Sequence, residues 1–406
     1  MRKLKILVIK FKYLGDVAVS IPALRALRER YPHAELHFLV AEDAAPIVKH
    51  IPWIDHTWAF PRKRGKMQLT QSLPMVMALK REQFDLSIDL VGNDRGALLS
   101  YIIGAEERLG PRIHPPIEAQ GHSRQKWASR GKGFIGREHC YTRTREEAPV
   151  IEAFAELQSE AILDKAGPGR ESWKRKPITN IGASRESRER GLIRPKWTSA
   201  EVSNVHESLR NLDLLKAIGI EPPENLSPEL HADPSLKDYA KEHIPQKTLL
   251  CHLSTSMPKK EWPLEQWVAF FQISPDHAER VIFITGPSQR EKDRLEAIKE
   301  ALPEARFLEN IPDLRHLMAL INEAEALICG DTAPAHLAAG LGTPYVAIFG
   351  PSTAQQWDPM GKRTLLIAQS CDCWGHPRSC LRKRPCLADI SAQSVYDALK
   401  QLLSHG

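Results

Sequence analysis

Two stretches of this chain alternate short apolar runs with helix-patterned segments, and that alternation constrains the fold more than any other feature. In the first stretch, residues 4–9 (LKILVI), 35–41 (ELHFLVA) and 85–90 (DLSIDL) read as strands. From Asp16 to Tyr31, Val17, Ile21, Leu24 and Leu27 recur at helical spacing, and 68–82 and 94–103 are also helical in pattern. The second stretch places strands at 247–253, 280–285, 326–330 and 344–350. Helical segments separate them at 264–273, 288–301, 313–324 and 333–341, and an amphipathic helix follows at 391–404. Strands alternating with helices predict parallel sheets with helical crossovers. The expected class is therefore α/β, with two doubly wound halves facing each other. Ligands bind beyond the carboxyl ends of such strands, which predicts a site in the cleft between the halves. The expected domains are 1–223 and 236–406, joined by a linker near 224–236 that contains ENLSPELHADPS.

Composition excludes a fibrous or wholly disordered chain, because 42% of the 406 residues are hydrophobic and 26% charged. No window offers about 18 uninterrupted apolar residues, the minimum for a membrane-spanning helix. The opening MRKLKILVI runs straight into charged Lys10, Lys12 and Asp16, unlike a secretion signal. The expected location is cytoplasmic.

The net charge of +6 is unevenly placed. Residues 120–196 hold 17 Lys/Arg and 10 Asp/Glu, a net of +7, and the remainder sums to −1. Such a segment suits phosphorylated lipid headgroups or a membrane surface; it equally reads as a solvated insertion. It lies within 112–200, a basic insertion that breaks the α/β alternation apart from a helix-like run at 150–165. A long helix is expected from Ser199 to Ile218, ended by Gly219. Aromatic residues are sparse there (Trp127, Phe134, Tyr141, Trp173), so no nucleic-acid partner is expected.

Three segments follow strands and carry chemistry. In KFKYLGDV (10–17), Asp16 opens a helix. Its carboxylate serves either as a helix cap or as a general base. In HLSTSMPKKEWP (252–263), Ser254, Thr255 and Ser256 precede Lys259 and Lys260. Hydroxyls with a lysine suit an anionic ligand, and the same letters also fit a polar turn. In CGDTAPAHLAAGLGTP (329–344), Gly330, Asp331 and Thr332 form a turn and Ala333 begins a helix of small residues. Pro334 fits that helix's first turn, and its N-terminal N–H groups suit a diphosphate. His336 falls one turn in, on the side of Asp331 and Thr332. GKGFIG (131–136) matches a dinucleotide fingerprint only by letter, since no strand precedes it. Four thiols, Cys371, Cys373, Cys380 and Cys386, crowd into sixteen residues. They could hold structural zinc or iron, or remain reduced.

Together these segments resemble family 9 glycosyltransferases, the ADP-heptose:lipopolysaccharide heptosyltransferases. The resemblance covers about 1–110 and 200–406 and rests on 10–32, 254–267 and 330–352. It implies the GT-B architecture, two Rossmann-like domains with the acceptor on the first and the donor on the second. It further implies inverting, metal-independent transfer of a sugar from an ADP-activated heptose to a lipopolysaccharide-core or related surface-glycan acceptor, with no cofactor required for catalysis. In that reading Asp16 is the general base and Lys260 neutralises the leaving diphosphate. Thr255 and Ser256 match phosphate-binding hydroxyls, with Ser254 beside them. Gly330, Asp331, Thr332, Ala333 and His336 form the rest of the donor site. Lys10 and Lys12 lie on the acceptor side, where Lys12 and Tyr13 replace the family's usual serine pair. The implied partners are a nucleotide sugar and an acidic or phosphorylated glycolipid, met at the inner face of a membrane. Two other functions fit such a fold: a nucleotide-sugar epimerase or hydrolase, and a non-catalytic glycan- or protein-binding module.

Overall fold

The computed structural model describes residues 2–11, 13–63, 66–67, 69–112, 140–146, 206–273, 275–352, 354–368 and 385–404. The expected helical run at 150–165, nearly all of the basic insertion and the GKGFIG segment lie outside the described residues. The described chain forms two compact units that divide between Leu226 and Ser227, with His206 grouped with the second.

The first unit holds β1 (Lys5–Lys10), β2 (Glu35–Ala41), β3 (His56–Phe60), β6 (Leu86–Asp89), β7 (Glu107–Arg112) and β8 (Arg143–Glu146). They form one sheet in the order β3-β2-β1-β6-β7-β8. The second unit holds β9 (Leu249–His252), β10 (Val281–Ile284), β11 (Arg306–Phe307), β12 (Ala326–Gly330), β13 (Tyr345–Phe349) and β14 (Thr364–Ala368). Its order, β11-β10-β9-β12-β13-β14, repeats the first. Every pairing in both sheets is parallel. Each order reverses beside its first strand, between β1 and β6 and between β9 and β12, as in doubly wound dinucleotide-type folds. A two-stranded antiparallel hairpin, β4 (Arg62–Lys63) with β5 (Lys66–Met67), stands apart.

Central strands read as unbroken apolar runs because helices cover both faces of a parallel sheet. In β1, Ile6 to Ile9 are at most 1% exposed. Strands β3 and β11 carry no such run, being partly exposed or only two residues long. The expected helix over 16–31 is two helices, α1 (Leu14–Ala18) and α2 (Ile21–Arg30). Pro22 sits in the first turn of α2, and proline lacks the N–H that a continuous helix would need there. Helices α3 (Ala45–Val48), α4 (Leu69–Arg81) and α5 (Asp94–Ile103) follow. Of the expected 199–218 helix, the described part is α6 (Glu207–Leu215) with a tighter turn to Ile218, ended by Gly219 at φ 73.

The second unit adds α7 (Lys237–His243), α8 (Leu264–Ile273), α9 (Gln289–Ala301), α10 (Leu314–Glu323) and α11 (Ala333–Leu341). After them come α12 (Ala354–Trp357) and α13 (Ala392–Ser404). Its core gathers Trp262, Trp267, Phe270 and Phe283 with Val395 and Leu399 of α13. The two tryptophans meet edge to face, 4.8 Å between centroids, an arrangement that adds to simple burial.

Candidate active site

The ends of β9 and β12 flank the switch point of the second sheet. The loop after β9 carries Lys260, and the turn after β12 carries Asp331. Lys260 Nζ lies 2.5 Å from Asp331 Oδ2, with side chains 17% and 8% exposed. Three features bring these groups together. Trp262 is 1% exposed and donates its indole N–H to Ile390 O at 2.9 Å, anchoring the loop two residues past the lysine. Glu261, also buried, accepts from Thr255 N at 3.1 Å and from Arg290 Nη1 at 2.5 Å, with Arg294 Nη1 at 3.7 Å. Gly330 supplies the close approach: a Cβ there would stand 3.0 Å from Thr255 Cγ2 and 3.2 Å from Lys260 O.

Helix α11 begins immediately after Asp331. Thr332 is its extended N-cap and makes no side-chain capping bond, and Pro334 lies in the first turn. The helix dipole and backbone N–H groups give this end a positive character. His336, one turn in, is 4% exposed, and its Nδ1 has no hydrogen-bond partner. Burial pushes its pKa down to about 4; Asp331 works against that shift, while His206 and Lys260 add to it. The neutral imidazole therefore holds a buried polar atom beside the Lys260–Asp331 pair.

The three candidate hydroxyls part company. Ser254 is fully buried; its Oγ donates to Glu291 Oε1 at 2.9 Å and accepts from Thr285 Oγ1 at 2.9 Å and Gly286 N at 3.1 Å. That fills the capacity of one hydroxyl. Thr255 Oγ1 closes a turn, donating to Met257 O at 2.8 Å and accepting from Met257 N at 3.2 Å. Ser256 alone is exposed. Sequence reasoning missed Glu261, Arg290, Arg294 and Glu291, which hold this loop. A charged residue between Lys260 and Trp262 was the available signal.

In the first unit Asp16 is half-buried in the first turn of α1, two residues inside the helix rather than at its cap. Tyr13 occupies the cap position with φ 33, a strained backbone for a residue with a side chain, and its ring is 66% exposed. Lys10 is buried. Its Nζ donates to Leu90 O at 3.0 Å and Asn211 Oδ1 at 3.2 Å, with Glu207 Oε1 at 3.5 Å. Those partners tie the end of β1 to α6. Lys12 lies outside the described residues. A group missed in the sequence is Asp89, fully buried at the end of β6. Its Oδ2 accepts from Tyr141 Oη at 2.6 Å and its Oδ1 from Val91 N at 2.8 Å. Burial pushes this carboxyl up against the pull of those bonds and of Lys10.

Of the four-thiol segment, Cys371, Cys373 and Cys380 lie outside the described residues. Cys386 is buried, its Sγ 3.2 Å from where a Cβ on Gly350 would stand. Among the described residues, Glu35, His37 and His56 form one compact group of metal-ligand type. Trp58 Nε1 donates to His37 Nδ1 at 3.0 Å, so the neutral ring carries its proton on Nε2, 3.0 Å from Glu35 Oε1. That nitrogen is a donor to the carboxylate, and the group is a hydrogen-bonded chain rather than a ligand set. Among the described residues no helix is long and apolar enough to cross a membrane.

Comparison with known proteins bears on the family and the fold. The family model for glycosyltransferase family 9 (heptosyltransferase) matches residues 173–379. Lipopolysaccharide heptosyltransferase 3 of Escherichia coli is 21% identical over 359 residues, covering 86% of this chain and 84% of that protein. The solved family 9 glycosyl transferase of Veillonella parvula superposes with a TM-score of 0.69 at 17% identity, covering 99% of this chain and 98% of its own. The ADP-heptose lipopolysaccharide heptosyltransferase II of E. coli gives 0.64 at 19% identity, covering 99% of each chain. The two-unit GT-B fold is thereby shared. With more than half its length matched by the family model, the chain belongs to glycosyltransferase family 9 and is a glycosyltransferase.

Proposed function

We propose that the protein transfers a heptose from ADP-heptose to a lipopolysaccharide-core acceptor, with inversion and without a metal ion. The observation that carries this reading is the Lys260–Asp331 pair at the switch point, directly before the N-terminus of α11. It supplies a cation, a carboxylate and backbone N–H groups where a nucleoside diphosphate and its sugar would bind. The names of the relatives supply the donor and acceptor classes.

In the proposed reaction Asp16 takes the proton from an acceptor hydroxyl. That oxygen forms a bond to the anomeric carbon as the carbon's bond to the diphosphate oxygen breaks. A single displacement inverts the anomeric centre. ADP leaves with the bonding electron pair, and Lys260 with the N–H groups of α11 stabilises its growing charge. The first unit, ascribed to residues 1–223, supplies the base, and the second, 236–406, the donor site. In this reading the acceptor is met at the cytoplasmic face of a membrane.

Thermal shift with ADP, UDP, GDP and CDP tests the donor, because a ligand of the folded state raises its apparent stability. ADP alone should stabilise the protein, and Lys260→Ala should abolish the shift. Asp16→Ala should keep the shift and lose transfer to a core acceptor. Full transfer by Asp16→Ala would overturn the base assignment, preference for another nucleotide the donor, and loss of activity with a chelator the metal independence. Turnover of donor without acceptor would favour hydrolysis or epimerisation instead.

A further inference from the structure

Helices α4 and α5 pack side by side over the first sheet. Their inner faces give Val76, Leu79, Leu99 and Ile103 to the core around Leu7, Ile9 and Leu39. Their outer faces are apolar as well. Leu73 and Met77, one turn apart on α4, are 61% and 44% exposed. Leu98, Tyr101 and Ile102 on α5 are 46%, 56% and 41% exposed, at spacings that share one helix face. Among the described residues only Leu4 and Tyr13 are other large apolar side chains so exposed. Single exposed leucines are ordinary, whereas a cluster on two adjoining helices marks a contact surface.

The surrounding charge identifies what that surface meets. Residues 56–81 contain six Lys/Arg and no Asp/Glu. Arg62, Lys63 and Lys66 lie on the β4–β5 hairpin that leads into α4. Lys80 and Arg81 are exposed at the far end of α4, and Arg95 at the start of α5. The Arg108 guanidinium lies over the Tyr101 ring, 5.8 Å from its centre. The nearest acid after α4, Glu82, is paired with Lys5 at 2.6 Å. An apolar helix face with Lys80, Arg81 and Arg95 exposed at its ends is complementary to a bilayer carrying negative headgroups: the apolar side chains enter the acyl boundary while the cations meet phosphates.

We propose that the outer face of α4 and α5 docks on an anionic bilayer, with Leu73, Met77, Leu98, Tyr101 and Ile102 entering the headgroup boundary. The inference rests on the functional reading in one respect, an acceptor carried by a membrane. It assigns that contact to residues of α4 and α5, outside the basic segment 120–196 in the sequence.

The test is co-sedimentation of the full chain with phosphatidylcholine vesicles, with and without about one third phosphatidylglycerol. Two double variants are compared, Leu98→Ser with Ile102→Ser and Lys80→Glu with Arg81→Glu. The wild type should bind the anionic vesicles, salt-sensitively, and the neutral ones weakly. Each double variant should lose at least about tenfold in partition while keeping its Tm and its ADP-induced shift. Wild-type affinity in the apolar variant would overturn the proposal. So would absence of wild-type binding, including the case in which a dimer of the wild type becomes a monomer in that variant, which would make the face a self-interface. No donor or acceptor is present, so failure of the ADP shift would count against the functional reading and leave the vesicle result standing.

Discussion

Lys260 and Asp331, 71 residues apart in the chain, meet at 2.5 Å across the switch point of the second sheet. Asp331 holds the lysine ammonium at the carboxyl ends of β9 and β12, next to the start of α11. Asp331→Asn should leave Lys260 present but unpaired and misplaced. Removal of one preorganised charged partner from such a site costs about 10²–10³ in kcat/KM. Steady-state kinetics with ADP-heptose would measure it, and Lys260→Ala combined with Asp331→Asn should cost little more than either alone, because the two act as one unit.

Gly330→Ala tests the closeness of the two loops. The new methyl would press on Thr255 Cγ2 and Lys260 O at 3.0 and 3.2 Å. Overpacking of this kind costs about 1–3 kcal/mol. The expected result is a lower denaturant midpoint together with a weaker ADP shift. An unchanged ADP shift would mean the Lys260 loop can withdraw without consequence.

Glu261→Gln tests the clamp beneath Lys260. The carboxylate is buried against Arg290 and Arg294, whose side chains are 40% and 14% exposed. Neutralising it leaves the more buried Arg294 with less compensation, and burial already lowers that guanidinium's pKa. Breaking a buried pair outright costs about 3–5 kcal/mol, and glutamine, which still accepts hydrogen bonds, should cost less, about 1–3 kcal/mol. Urea denaturation reads it directly.

Stability should fall in acid through two histidines. His252 and His336 are both buried, and burial pushes each pKa down from 6.5 to about 4. Above pH 6.5 both are neutral, folded or unfolded, and their stabilising balance is fully present. As pH falls from 6.5 to about 4 the unfolded chain binds protons that the folded chain refuses, so stability drops. Each histidine accounts for roughly 2–3 kcal/mol over that window. His336→Gln should flatten the decline by one histidine's share in denaturation midpoints taken across the range. An unaltered slope would mean His336 is protonated in the folded state.

Local pattern was sufficient for much of the fold. Helices α8 and α11 occupy the predicted 264–273 and 333–341, and β2 and β12 the predicted 35–41 and 326–330. Burial imposes a period of 3.6 on a helix face and an unbroken apolar run on a central parallel strand, so both are written in neighbouring letters. Strands β3 and β11 were illegible because partly exposed or two-residue strands carry neither signature, whereas β14 does carry an apolar run, Leu365–Ala368, and was overlooked.

The sequence by itself therefore determined the alternation of elements, the family, and the short segments that follow β1, β9 and β12. Only the tertiary structure decided what each side chain in those segments does. It turned Ser254 inward onto Glu291 and Thr285, buried Lys10 against Leu90 and Asn211, and set Glu261 between two arginines. The reason is physical. Periodicity records whether a residue faces the core, which neighbours along the chain can report. Hydrogen-bond and charge partners are set by which strands lie side by side, and in a doubly wound sheet those come from distant parts of the chain.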